Sequence, residues 1–110
     1  MALPVETYEL IGVKPTYTVD YDMQLDFPFD WTEYLLLVGD VIDTVEFVVD
    51  SRLDIVNFGH DDTHATVWLK LKDDVARDLK ETLQVTCRIT TDNVPPRIDD
   101  RSIWLKFKQR

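Results

Sequence analysis

Apolar and polar residues alternate with a period of two over much of the chain, the spacing that places every second side chain on one face of a β-strand. The clearest run is Thr82–Thr91, where Leu83, Val85, Cys87 and Ile89 share a face opposite Gln84, Thr86, Arg88 and Thr90. Thr63–Leu71 repeats the pattern, with Ala65, Val67, Leu69 and Leu71 set against Thr66, Trp68 and Lys70. So does Ser102–Lys108, with Ile103, Leu105 and Phe107 set against Trp104, Lys106 and Lys108. Leu25, Phe27 and Phe29 alternate with Asp26, Pro28 and Asp30. Pro28 has no N–H to give a ladder, so this run predicts an edge or bulged strand. The β-branched run Val41–Val49 places Val45, Phe47 and Val49 on one face, and a shorter strand is predicted at Asp54–Phe58.

The breaks between these runs are equally informative. Asp30 can cap free backbone N–H groups, and Glu33 lies three residues on, so Tyr34–Val38 predicts one or two helical turns. Gly39-Asp40 ends them, because Gly takes the left-handed conformation at little cost. Gly59-His60-Asp61-Asp62 reads as a turn. Lys72–Lys80 reads as a charged, solvated loop, and Asp92–Asp100 as a loop broken by Pro95-Pro96. Residues 1–20 are mixed, with short strand candidates at Tyr8–Val13 and Tyr17–Val19. They predict an extended N-terminal arm, residues 1–21, ahead of a domain over 22–110; such arms often add a strand to a neighbour's sheet. Strands at about 8–12-residue spacing with intervening turn signals predict an all-β fold, an antiparallel immunoglobulin-like β-sandwich of about seven strands with one short helical turn. No long helical period separates the strands, which excludes a βαβ arrangement.

The length of 110 residues suits one domain. The net charge is −9, from 21 acidic and 12 basic residues. Such a surface repels DNA and anionic lipid, so neither nucleic acid nor membrane is an expected partner. The charge is uneven: residues 1–50 carry 11 acidic residues against Lys14 alone, and residues 51–110 carry 10 acidic and 11 basic. That asymmetry serves solubility, or it polarises the surface and orients the domain in an assembly. Cys87 is the single cysteine, so no intramolecular disulfide forms, which is compatible with folding in a reducing compartment. The N-terminus lacks the features of a signal peptide, and no run reaches the length of a membrane helix. Synthesis in the cytoplasm is the expectation.

Catalytic and metal chemistry find little support. His60 and His64 have the spacing of a zinc-binding pair, but they flank a turn, and position 61 is Asp rather than Glu. A surface turn is the expectation. Asp20 with Asp22, Asp61-Asp62, Asp73-Asp74 and Asp99-Asp100 fit no EF-hand loop and read as solvated charges. Cys87 shares a face with Val85 and Ile89 and reads as a core thiol. There is no glycine-rich phosphate loop and no Gly-x-Ser-x-Gly elbow. No cofactor, metal or enzymatic activity is expected. Trp68 and Trp104 fall on outer strand faces, where they either cover the sheet or anchor a partner. Trp31 reads as a plug at one end of the core.

Several motifs together resemble the phage fiber–tail adaptor family. Asp22 with Leu25-Asp26-Phe27, then Phe29-Asp30-Trp31-Thr32 and Leu35, is similar to that family's opening signature. Gly39-Asp40-Val41-Ile42 resembles its Gly-Asp-Thr-Ile turn, and Val45–Val49 the strand that follows, with Phe47 where Trp is usual. Thr66-Val67-Trp68-Leu69, Arg88-Ile89-Thr90-Thr91 and Asp99-Asp100-Arg101-Ser102-Ile103 resemble three later motifs, in order. The resemblance spans residues 22–107. It departs at Lys70–Lys80, which has no Gly where the family tends to have several, and after Thr91, where an expected Gly is missing.

The resemblance implies a non-catalytic virion structural protein, present in many copies, that joins a tail or portal-proximal adaptor ring to tail fibers. The implied partners are tail adaptor or nozzle proteins, fibers, and copies of the chain itself. The candidate contact residues are Tyr8 and Tyr17 on the arm, Trp68 and Trp104 on the sheet faces, Lys72, Arg77 and Lys80 in one loop, and Arg97 in the other. The arm is expected to engage one partner and the two loops another. Two rival readings share the fold: a capsid decoration protein, and a carbohydrate-binding module that stacks sugar on Trp68 or Trp104.

Overall fold

Every alternating run becomes a strand in the computed structural model, which describes residues 15–108. The strands are β1 (Thr16–Asp20), β2 (Gln24–Asp30), β3 (Ile42–Val49), β4 (Leu53–His60), β5 (His64–Leu71), β6 (Leu83–Thr91) and β7 (Ile98–Lys108). A single helix, α1 (Thr32–Val38), lies between β2 and β3. One sheet has the order β1-β7-β6-β3 and the other β2-β5-β4. All pairings are antiparallel except β1 with β7. Lettered A to G along the chain, the sheets read A-G-F-C and B-E-D. The constant-type immunoglobulin plan is A-B-E-D and C-F-G, so the first strand sits on the other sheet here.

The period-two faces meet in the middle. Leu83, Val85, Cys87 and Ile89 of β6 are sealed from solvent against Ala65, Val67 and Leu69 of β5. Leu105 and Phe107 of β7 and Phe27 and Phe29 of β2 complete the core. Trp31 closes one end with no exposed surface, as its position after Asp30 predicts. Its backbone N–H donates to the Thr63 carbonyl at 2.9 Å, which ties α1 to the β4–β5 turn. The Asp30 carboxylate accepts the Thr32 N–H at 2.9 Å and the Thr32 hydroxyl, anchoring the helix start. Gly39 stops the helix at φ 76°, donating its N–H to the Leu35 carbonyl at 2.8 Å.

The element bounds differ from the sequence reading in three places. β1 falls within the stretch read as an arm: residues 16–20 pair with β7, and Val19 and Tyr21 are buried. The rest of that stretch, including Tyr8 and the strand expected at Tyr8–Val13, lies outside the described residues. Gly59 and His60 extend β4 rather than turn, because Thr66 and Ala65 of β5 pair with them. β7 begins at Ile98, inside the expected loop, since Asp99 and Asp100 pair with Ile89 and Arg88.

Candidate protein-interaction surfaces

The sandwich has two ends, two outer faces and two long sides. At the end carrying α1, three chain segments are pinned together. Ile42 N–H donates to the Asp62 carbonyl at 2.9 Å, and Val41 and Asp92 exchange bonds at 3.1 and 3.2 Å. Arg97 reaches the Asp40 carboxylate at 2.8 Å, and Thr91, buried, accepts the Arg97 N–H on its hydroxyl. Arg101 lies over the Trp31 ring at 4.2 Å and donates to the Asp30 carbonyl at 2.8 Å. This end exposes the strongest apolar positions of the described residues: Leu36 at 81%, Leu37 at 71%, Val94 at 93% and Ile98 at 62%. Exposed leucines on adjacent helical positions add little to the core and stand out as an apolar surface.

The opposite end is built by residues 72–82 with the 50–52 turn. This connection was read as wholly solvated, yet Val75 and Leu79 are half-buried against the core. Tyr21 donates its hydroxyl to the Leu79 carbonyl at 3.1 Å. Arg77 donates to the Lys72 and Val75 carbonyls at 3.2 and 2.9 Å and lies 3.7 Å from Asp22. Lys72 is half-buried and Lys80 exposed. The two loops expected to share one partner, those of Lys72–Lys80 and Arg97, therefore occupy opposite ends.

The two outer tryptophans face opposite ways. Trp104 lies on β7 between Thr16 and Gln84, half-buried on the outer face of the four-stranded sheet. Trp68 lies on β5 between Asp26 and Asn57, 39% exposed on the outer face of the three-stranded sheet. Tyr17 is exposed at the β1/β2 side, edge-on to Phe27 at 5.7 Å. Of the expected contact residues, then, no single surface gathers more than the Lys72, Arg77 and Lys80 group. The exposed apolar residues Leu36, Leu37, Val94 and Ile98 did not figure among the expected contact residues; the apolar triplet Leu35-Leu36-Leu37 on a short helix, which can bury only one side, was the signal for the first two.

The charge asymmetry resolves into pairing across the fold. Basic residues of the second half meet acidic residues of the first: Arg52 with Asp50, Arg77 with Asp22, Arg88 with Glu46, and Arg97 with Asp40. Hydrogen bonds from Arg52 hold the Asp50 carboxyl below the usual carboxylate range, and those of the Thr63 and His64 amides do the same for Asp61. His60 and His64 are spent on the turn: His60 Nδ1 lies 2.8 Å from the Asp61 carbonyl and His64 Nδ1 2.8 Å from the Thr63 hydroxyl. Burial pushes the Cys87 thiol up to about 11, despite the nearby Trp31 indole, so it is protonated and unreactive at neutral pH. Trp31 Nε1 and Arg101 Nε are buried without a full hydrogen bond. Among the described residues no cluster of His, Cys, Asp and Glu is placed to hold a metal, and no helix is long and apolar enough to cross a membrane.

No curated protein matches the chain. A protein-family model described as podophage GP4 fiber-tail adaptor protein gp77 matches residues 20–106, from the end of β1 almost to the end of β7. With a match over most of its length, and with the ordered motifs of β2, β3, β5, β6 and β7 inside it, the chain belongs to the podophage GP4 fiber-tail adaptor protein gp77 family.

Proposed function

We propose that the domain is a non-catalytic connector of the phage tail, seated between a portal-proximal adaptor ring and the tail fibers and present in several copies. The observation that carries this reading is the apolar surface at the α1 end, Leu36 and Leu37 with Val94 and Ile98, mounted on a cross-braced frame of ion pairs. A connector needs a rigid body and a dry patch for a neighbour, and interfaces of this kind are dominated by a few apolar anchors. The polar loop end, with Arg77 and Lys80, supplies a second and chemically different contact for another neighbour. The arm that includes Tyr8, with Tyr17 at its base, supplies a third.

Labelling the chain in intact particles tests the reading. Label at the tail–fiber junction is the expected result. Label spread over the capsid lattice makes it a decoration protein instead. The double substitution Leu36→Ser with Leu37→Ser should leave the melting temperature within a few degrees and lower incorporation into particles at least tenfold.

A further inference from the structure

The β4 edge differs from every other edge of the two sheets. β1 is only five residues long, β2 carries Pro28 between Asp26 and Asp30, and β3 carries Asp43 and Glu46. Short length, proline and charge are the usual means of blocking strand addition. β4 runs for eight residues with Asp54 its only acidic residue and with no lysine or proline; a bulge interrupts it between Ile55 and Asn57, and Asn57–His60 beyond it stay in regular register with β5. Ile55, Val56 and Phe58 are exposed along it at 39%, 45% and 54%. Counting outward from the Asp61–His64 bonded pair, the backbone groups of Phe58 and His60 point to the free side. The Phe58 N–H there donates only to the neighbouring Asn57 side chain, at 2.9 Å.

Beside this edge lies a shallow hollow of about 380 Å³, with Phe58, Gly59 and Trp68 on one part of its wall and Asn57, Thr66 and the turn residues His60, Asp61 and His64 on the rest. Gly59 has no positive φ that would require glycine, and a Cβ placed there meets nothing within 4 Å. The missing side chain is therefore not needed by the fold; it leaves the hollow open.

We propose that Tyr8–Val13 of one copy adds a strand to the β4 edge of the next copy, laying one of its side chains across the open position at Gly59 beside Trp68. The inference rests on the multi-copy assembly proposed above. The segment Tyr8-Glu9-Leu10-Ile11-Gly12-Val13 is apolar at four of its six positions, and with Glu6, Glu9 and Lys14 the stretch ahead of Pro15 is close to neutral on an otherwise acidic chain. It starts from β1, at one edge of the four-stranded sheet, whereas β4 packs beside β3 at the other edge. Donor and acceptor on opposite sides make a head-to-tail contact, the kind that builds a ring where successive rotations close and a filament where they do not. The pairing segment stays close to its own β1: from Pro15 back to Tyr8 the chain reaches at most about 23–25 Å, against a domain cross-section of 30 and 18 Å.

Three full-length chains test this by sedimentation velocity: the natural chain, Gly59→Lys with the acceptor blocked, and Leu10→Asp with Ile11→Asp, which disables the donor. The natural chain should form concentration-dependent oligomers, and each variant alone should associate at least tenfold more weakly. Mixing the two variants should give a 1:1 pair and nothing larger, since one supplies the arm and the other the open edge. A mixture that stays monomeric overturns the proposal, as does Gly59→Lys assembling like the natural chain. A natural chain that is monomeric throughout, with Gly59→Lys altering only its melting, means that the arm covers its own β4 and also overturns it. The adaptor reading fails separately, through the position of the label in particles.

Discussion

The two long sides of the sandwich are built from similar residues and end in different states. On the β1/β2 side, Val19, Tyr21, Met23 and Phe27 are between 3% and 7% exposed, and only Tyr17 and Leu25, at 44% each, stand open. On the β3/β4 side, Val45, Phe47 and Val49 are only half-buried, and Ile55 and Phe58 stand open. Both sides hold aromatic contacts: Tyr21 stacks on Phe107 at 5.8 Å, and Phe47 bridges Phe29 and Phe58 at 5.9 Å each. What differs is the connection nearby. Residues 72–82 fold Leu79 back to Tyr21, whereas the short 50–52 turn between β3 and β4 leaves nothing to cover the seam. Burial in a small sandwich is thus set by loop length as much as by the strands, and the side left open is the one available for assembly.

The sharpest way to break that comparison is a matched pair of truncations. Tyr21→Ala removes a buried ring and its bond to Leu79, and should cost about 3–4 kcal/mol in urea unfolding. Phe58→Ala removes a ring already more than half exposed, and should cost about 1 kcal/mol or less. Equal losses would mean that the two sides are equally packed in solution.

A second test asks how dry the core is behind the half-open side. Cys87 stands opposite Phe47 in the β3–β6 ladder and is fully buried. Burial raises its thiol from 9.0 to about 11. The neutral form is the one the fold favours, so its contribution is complete below pH 9 and declines as pH rises from 9 towards 11. The slope is about 1.4 kcal/mol per pH unit. Urea titrations of the natural chain and Cys87→Ala at pH 8, 9 and 10 should diverge above pH 9. Parallel curves would show that water reaches the thiol through the β3/β4 seam. At the acid end the sign is reversed: Asp50 and Asp61 are held low by their hydrogen bonds, so their contributions persist above about pH 4 and fade below it.

The sequence carried the strands of this fold better than their neighbours. β5, β6 and β7 were legible because each has one wet and one dry face, and a period of two survives any tertiary arrangement. β4 was underestimated because an edge strand has no buried face to enforce alternation: of its residues only Leu53 is buried. The Arg101–Trp31 stack was invisible, since it joins residues 70 positions apart that only the docking of β7 against α1 brings together. Val75 and Leu79 were hidden among the charges of their loop. The outward direction of Trp68 and Trp104 was readable from alternation, but that they face opposite ways required the sheet order. The same limit hid the pairing behind the charge asymmetry: Arg77 meets Asp22 and Arg97 meets Asp40 only once the ends of the sandwich are assembled.

The smallest expected effect concerns the protected edge. Pro28 sits opposite Thr66 in the β2–β5 ladder and is exposed. Proline is tolerated in a strand where its missing N–H would face the free edge, so Pro28→Thr restores a donor on the outer side of β2 without breaking the ladder. Stability should change by no more than about 0.5 kcal/mol. If proline is what closes this edge, sedimentation should show new association that survives Gly59→Lys, because it no longer depends on β4. If the variant behaves as the natural chain does, Asp26 and Asp30 are enough to repel an added strand. The contrast with β4 then reduces to charge: β4 has Asp54 at one end and five uncharged residues from Ile55 to Gly59, and it is that uncharged stretch, rather than the absence of proline, which leaves it open.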